Sequence, residues 1–170
     1  IAHAAPHSPM QGPGEKAIRT DVTPEGDKNS SRPNKEIYRD MVEELDWSVG
    51  RILETLKKYE LDENTFVVFF SDNGPVINNG GSAGGYRGAK GTPWEGGHRV
   101  PGICYMPGTI KEGTICKQAV MSFDLFPTML DMADIHYDDS KKKLDGTSLM
   151  PLFKGKELAP RLLVWGNGNK

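Results

Sequence analysis

Cysteine is nearly absent from this sequence: Cys104 and Cys116 are its only two among 170 residues. Two thiols cannot build a disulfide scaffold or a zinc cluster. They pair if the segment between them folds back as a hairpin, and otherwise serve as small apolar side chains. An excess of charge of one sign is also lacking, with 21 Lys and Arg against 23 Asp and Glu and a net charge of −2. That balance favours neither nucleic acid nor an acidic membrane as partner. The one run of like charge, Lys141 to Lys143, reads as a solvated turn. No stretch approaches the apolar length of a membrane span, and no secretory signal opens the sequence. It begins at Ile1 rather than methionine, so residues upstream are expected. Asn29-Ser30-Ser31 is a glycosylation sequon in a polar loop, a pattern short enough to arise by chance. Internal repeats and low-complexity tracts are absent.

What is present fits one domain, or one piece of a larger one. A hydrophobic fraction of 36% supplies a core, while 20 glycines and 12 prolines point to long loops. "IAHAAPHSPM" reads as the tail of a strand breaking into a proline-bounded loop, and residues 11–34 as a long polar connection. From Asn34 to about Tyr59 the period is helical. Ile37, Met41, Leu45, Val49, Ile52, Leu53 and Leu56 share a stripe, with Asn34 as the cap. "TFVVFF", residues 65–70, lacks polar alternation and suits a strand buried on both faces, as in parallel sheets covered by helices. "RVPGICYMPG" reads as a second strand. "QAVMSFDLFPTMLDMADI" reads as a helix with Pro127 near its first turn, "LDGTSLMPLFKGK" as a loop with a short helix, and "RLLVWGNGNK" as the start of another strand. The fold class is therefore α/β.

The chemistry concentrates where strand 65–70 ends. In open α/β sheets ligands bind beyond the carboxyl ends of strands, and Ser71-Asp72-Asn73-Gly74 stands there. A carboxylate beside an amide oxygen offers two hard ligands, suited to Ca²⁺ or Mg²⁺. Taken alone, the tetrapeptide equally well makes a turn. The following "GGSAGGYRGAKGTPWEGG" lets backbone approach a ligand closely and brings Lys90 and Arg87 to it. A lysine ammonium is a compact charge matched to a tetrahedral oxyanion. The segment is no P-loop, because Thr92 is displaced behind Gly91. His7, between Pro6 and Pro9 in "APHSPMQ", has a backbone restricted by its neighbours. His3, His98 and His136 read as surface residues, with His98 near enough to the glycine loop to line a pocket rim.

Taken together, "APHSPMQ", "YRDMVEELDWSVGRILETL", "TFVVFFSDNGP", "GAKGTPWEGGHRVPG", "SFDLFPTMLDMADI" and "LDGTSLMPLFKGK" resemble the sulfatases of the alkaline-phosphatase superfamily. The pieces occur in the family's order and cover nearly the whole chain. "SDNG" followed by GxKGTxxEGGxRVP carries most of the signal. The resemblance implies a partial alkaline-phosphatase-like sheet flanked by helices. It implies that Asp72 and Asn73 are the later pair of ligands to a divalent cation, generally Ca²⁺. It matches Lys90 to the lysine that holds the sulfate and its bridging oxygen, and His7 to the histidine on the leaving-group side. The implied substrate is a sulfated small molecule or sulfated sugar, and the implied location is secreted, periplasmic or lysosomal.

The sequence departs decisively from the family. The family's nucleophile is a formylglycine made from the Cys or Ser of C/S-x-P-S/A-R, and no such motif is present: Cys104 lies in "GICYMP" and Cys116 in "TICKQA". The earlier paired aspartates of the metal site are missing too, as are the family's upstream lysine and histidine. Residues 1–170 thus read as the C-terminal part of an incomplete sulfatase catalytic domain, inactive by itself, with the nucleophile in an absent N-terminal half. Two alternatives stay open. One is a phosphonate or phosphate ester hydrolase of the same superfamily, and the other a non-catalytic binding module.

Overall fold

The computed structural model of the chain describes residues 1–14, 32–140 and 142–166. The Asn29-Ser30-Ser31 sequon, most of the polar connection, Lys141 and the last four residues lie outside the described residues. Among the described residues no helix is long and apolar enough to cross a membrane.

Helix α1 spans Asn34–Lys58, within one residue of the span expected from the periodicity. Glu36 sits in its first turn and Lys57 and Lys58 in its last, where each charge opposes the helix dipole. The apolar stripe has the expected phase but is unevenly covered. Ile37 and Met41 are buried, whereas Leu45, Val49, Ile52, Leu53 and Leu56 are half-buried. Asn34 does not cap the helix. Pro33 holds the N-cap position without a side-chain bond, and Asn34 Nδ2 instead donates to Asn79 Oδ1 at 3.5 Å. Proline fits there because the first helical N–H groups have no intrahelical partner, and its fixed φ matches the entry of the chain.

Strand β1, Val67–Phe70, pairs with β2, Gly102–Tyr105, in a two-stranded sheet. The apolar run was expected to be buried on both faces, yet Val67, Val68 and Phe69 are half-buried and Phe70 is exposed. Among the described residues β2 is its one partner, so the strand there lacks the cover that its composition suits. Three short helices follow: α2, Glu95–His98; α3, Leu125–Met132, with Pro127 in its first turn; and α4, Met150–Phe153. The strands expected at the start of the chain and over "RLLVW" are not found among the described residues. Leu162 and Val164 stand exposed, and the backbone just before them is engaged by a side chain. Gln118 Oε1 accepts from Leu158 N–H at 2.8 Å, and its Nε2 donates to Leu158 C=O at 3.3 Å. Cys104 and Cys116 are free thiols, and burial pushes the Cys104 thiol up.

The chain divides into two compact units. The first comprises Ile1–Asp62, Val68–Ile103 and Trp165–Lys170. Its core is Met10 against Ile37 and Met41, with Ala5 and Tyr38 packed alongside, so the His7 loop is moored on the first turns of α1. Arg32 and Arg39 bind Asp40 and hold its carboxyl below the usual range.

The second unit, Glu63–Val67 with Cys104–Val164, is organised around Asp124. This carboxylate is fully buried and accepts four hydrogen bonds. Arg161 donates two at 2.5 Å, Met121 N–H one at 2.8 Å and Thr147 N–H one at 2.9 Å. Thr128 extends the network, donating to Asp124 C=O at 2.6 Å and accepting from Leu149 N–H at 2.9 Å. Burial by itself would raise the Asp124 carboxyl, but the Arg161 guanidinium and the two amides outweigh it and hold the group below the usual range. Because the folded value is depressed, the stabilisation is complete above the unfolded carboxylate value and is lost as pH falls through the folded one. Arg161→Ala should therefore cost about 3–5 kcal/mol near neutrality, by stranding a buried charge. Urea unfolding checks this, and the gap between variant and parent should narrow as the pH drops below about 4.

Candidate active site

Asp72 follows β1 after one residue, at the carboxyl end of the strand, and is exposed. The turn behind it is tied locally. Ser71 Oγ donates to Asn73 C=O at 2.9 Å, and Asn73 Nδ2 donates to Gly74 C=O at 2.8 Å. With its amino group spent on the backbone, Asn73 has the carbonyl oxygen Oδ1 left to offer. Asp72 and Asn73 thus present two hard oxygens on adjacent residues, a donor set that fits part of a Ca²⁺ or Mg²⁺ shell. Among the described residues no group of three or more His, Cys, Asp or Glu is arranged to hold a metal.

The glycine-rich segment folds back onto this turn. Gly74 N–H donates to Gly97 C=O at 2.9 Å, and Lys90 N–H donates to Pro75 C=O at 3.0 Å. The Lys90 backbone is therefore bonded two residues beyond Asn73, although the two stand seventeen positions apart in sequence. Glycine makes the contact possible. A Cβ on Gly74 would stand 2.0 Å from the Gly96 carbonyl oxygen, one on Gly96 would stand 2.3 Å from that of Gly88, and one on Gly97 would stand 2.2 Å from that of Thr92. These are backbone-to-backbone contacts that no other residue permits.

Lys90 itself occupies the second position of a β-turn, Ala89–Thr92, closed by Thr92 N–H to Ala89 C=O at 3.0 Å. Gly91 supplies the positive φ of +83° that a type II turn requires at its third position. The Lys90 side chain is exposed. Arg87 was read as a companion charge to Lys90, but its guanidinium lies over the Trp94 ring at 3.5 Å. The stack is favourable because a flat, weakly hydrated cation suits an indole face better than open water does. Arg99 is likewise engaged, over Tyr86 at 4.5 Å and with Glu95 at 2.8 Å.

His7 belongs to the same compact unit as Asp72, Asn73 and Lys90, and its ring is exposed. Its N–H donates to Ala4 C=O at 2.8 Å, and Nδ1 lies 2.7 Å from Ser8 C=O. A carbonyl only accepts, so Nδ1 carries the proton there and Nε2 is turned outward. No hydrogen bond among the described residues joins His7 to Asp72, Asn73 or Lys90. His98 packs on Trp165, with ring centroids 4.3 Å apart, and its buried Nδ1 has no hydrogen-bond partner. Two further residues, Thr92 and Trp94, shape the Lys90 loop and escape a reading by residue type. The Lys-Gly pair, a type II turn signal, is what could have found the first.

A family model described as Sulfatase matches residues 2–135. The chain is 41% identical over 126 residues to the steryl-sulfatase of Rattus norvegicus, covering 69% of this chain and 22% of that protein. It is 40% identical over 136 residues to the N-acetylgalactosamine-6-sulfatase of Canis lupus familiaris, covering 78% of this chain and 26% of that protein. The crystal structure of Ps i-CgsB in complex with k-i-k-neocarrahexaose superposes with a TM-score of 0.73 at 32% identity, covering 89% of this chain and 32% of that one. This chain thus spans about a quarter of the length of the curated relatives it matches, and it shares the alkaline-phosphatase-like fold of the solved sulfatases it superposes on.

The interlocked glycines generate a prediction. Gly96→Ala, which drives a methyl into the Gly88 and Arg87 carbonyls, should destabilise the chain by about 1–3 kcal/mol. Gly50→Ala, in α1 with open space around it, should stabilise by about 0.5–1 kcal/mol. Denaturant titration of the two variants measures both signs.

Proposed function

We propose that this chain, which belongs to the sulfatase family, forms one part of an enzyme that hydrolyses sulfate esters. In this reading residues 1–170 are the C-terminal part of its catalytic domain. Lys90 and His7 contact the substrate, while Asp72 and Asn73 provide part of the shell of a divalent cation, generally Ca²⁺. The cation, when bound, supplies positive charge to the sulfuryl oxygens. The nucleophile, a formylglycine in this family, is contributed by chain outside these residues, because no C/S-x-P-S/A-R motif occurs in them. A secreted, periplasmic or lysosomal setting goes with the same reading.

The observation that carries the proposal is the pair of backbone bonds holding the Lys90 turn against the Asp72-Asn73 turn. A lysine and a cation site carried on adjoining turns can share one sulfate ester monoanion. Negative charge moves onto the bridging oxygen as the S–O bond breaks, and a lysine whose backbone is already held beside the ester stabilises it at small reorganisation cost. His7 takes the other side of the reaction. With Nδ1 committed to Ser8 C=O, a protonated Nε2 donates its hydrogen to the departing alkoxide oxygen. A sulfated sugar is the substrate class best supported. One relative is by name an N-acetylgalactosamine-6-sulfatase, and the superposing crystal structure holds a neocarrahexaose.

The reading makes kinetic demands. In the full-length protein, Lys90→Ala should lower turnover by about 10²–10³-fold, the usual loss when one preorganised contact to the reacting group is removed. His7→Ala should slow an unactivated sugar sulfate far more than an activated aryl sulfate, whose leaving group needs no proton. The 170-residue chain alone should turn over neither substrate. Full activity in the Lys90 variant, or turnover by the isolated chain, would contradict the assignment.

A further inference from the structure

We infer that Thr92 is a positioning residue: its hydroxyl locks the turn that aims Lys90 at the oxyanion. The inference rests on the catalytic reading of Lys90 given above and adds to it the group that sets the direction of the lysine.

Three bonds between the same two residues close the Lys90 turn. Thr92 N–H donates to Ala89 C=O at 3.0 Å, Thr92 Oγ1 donates to the same carbonyl at 2.8 Å, and Ala89 N–H donates to Thr92 Oγ1 at 3.2 Å. An ordinary β-turn has the first bond alone. Here one hydroxyl engages both the donor and the acceptor of the opposite residue, so the two soft dihedrals on either side of Lys90 lose their freedom together. That restriction matters because Lys90 makes no ion pair among the described residues, and its long stem is otherwise free to sweep through solvent.

The hydroxyl has a place prepared for it. A Cβ on Gly88 would lie 2.3 Å from Thr92 Oγ1, and one on Gly97 would lie 3.0 Å from it. Two glycines, one on each side of the turn, thus leave open the notch that the hydroxyl fills. Gly97 is also the residue whose carbonyl receives Gly74 N–H behind the Asp72-Asn73 turn. Thr92 therefore sits where the lysine turn and the metal-ligand turn share backbone, and it touches neither the substrate nor the cation in this account.

The test is steady-state hydrolysis of an aryl sulfate by the full-length protein, with thermal melts alongside. The variants are Thr92→Val, Thr92→Ala, Thr92→Ser, Lys90→Ala and the double variant Thr92→Val with Lys90→Ala. Thr92→Val should lower kcat about tenfold with KM changed less than about twofold, since misaiming a catalytic group by an ångström costs up to about 10²-fold. Thr92→Ala should do the same if valine perturbs folding, and Thr92→Ser, which keeps the hydroxyl, should restore most of kcat. The deciding comparison is the double variant. If Thr92 acts through Lys90, removing its hydroxyl costs nothing further once the lysine is gone. An equal loss in both backgrounds, or parental kcat in Thr92→Val and Thr92→Ala, would overturn the inference. Parental activity in Lys90→Ala would instead overturn the catalytic reading beneath it.

Discussion

Gly74 N–H reaches the Gly97 carbonyl at 2.9 Å across a contact too close for any side chain, and the arrangement of the site follows from it. Because Gly74 follows Asn73 directly, that bond fixes the backbone that carries Asp72 and Asn73. Because Gly97 abuts Thr92, the same contact fixes the turn that carries Lys90. Gly88, Gly96 and Gly97 are thus packing residues as much as flexible ones. Their missing side chains let three stretches of backbone lie against one another. An alanine at any of them would force the turns apart by more than the tolerance of catalysis, which is about 0.5 Å.

The second unit solves a different problem with different means. Asp124 is fully buried, where an unpaired carboxylate would be expensive, and it is made tolerable by satisfying four acceptor positions at once. Arg161 provides a planar fork, and the Met121 and Thr147 amides close the remaining directions. Gly146 belongs to the same design, since a Cβ there would stand 2.2 Å from the Phe123 carbonyl oxygen. The network's role is to tie residues 119–161 into one body.

Much of this was legible in the sequence where the signal is local and periodic. Helix α1 emerged from its stripe, β1 and β2 from their apolar runs, and α3 from a pattern that tolerated Pro127 in the first turn. The nearness of the two turns was legible through the family pattern that joins "SDNG" to "GAKGTPWEGGHRVPG". What local pattern could not convey was partnership over distance. Asp124 lies in an apolar helical stretch 37 residues before Arg161, and no spacing rule connects them. Asn34 looked like a cap because asparagine suits that role, yet its amide is drawn to Asn79, 45 residues on. "RLLVW" has strand composition but finds no neighbouring strand among the described residues. Thr92 was noticed for its displacement from a phosphate-loop pattern, whereas its use depends on a notch that appears when Gly88 and Gly97 come together.

The central claim is that Lys90, His7, Asp72 and Asn73 surround one sulfate ester. It is tested most directly by a crystal structure of the full-length protein with Ca²⁺ and a sulfated sugar or sulfate bound. Asp72 and Asn73 Oδ1 should then stand about 2.3–2.6 Å from the cation. Lys90 Nζ should lie within about 3 Å of a sulfuryl oxygen, with His7 Nε2 facing the bridging oxygen. A sulfate group lodged elsewhere, with Lys90 pointing to the far side of the β1–β2 sheet from Asp72, would contradict it.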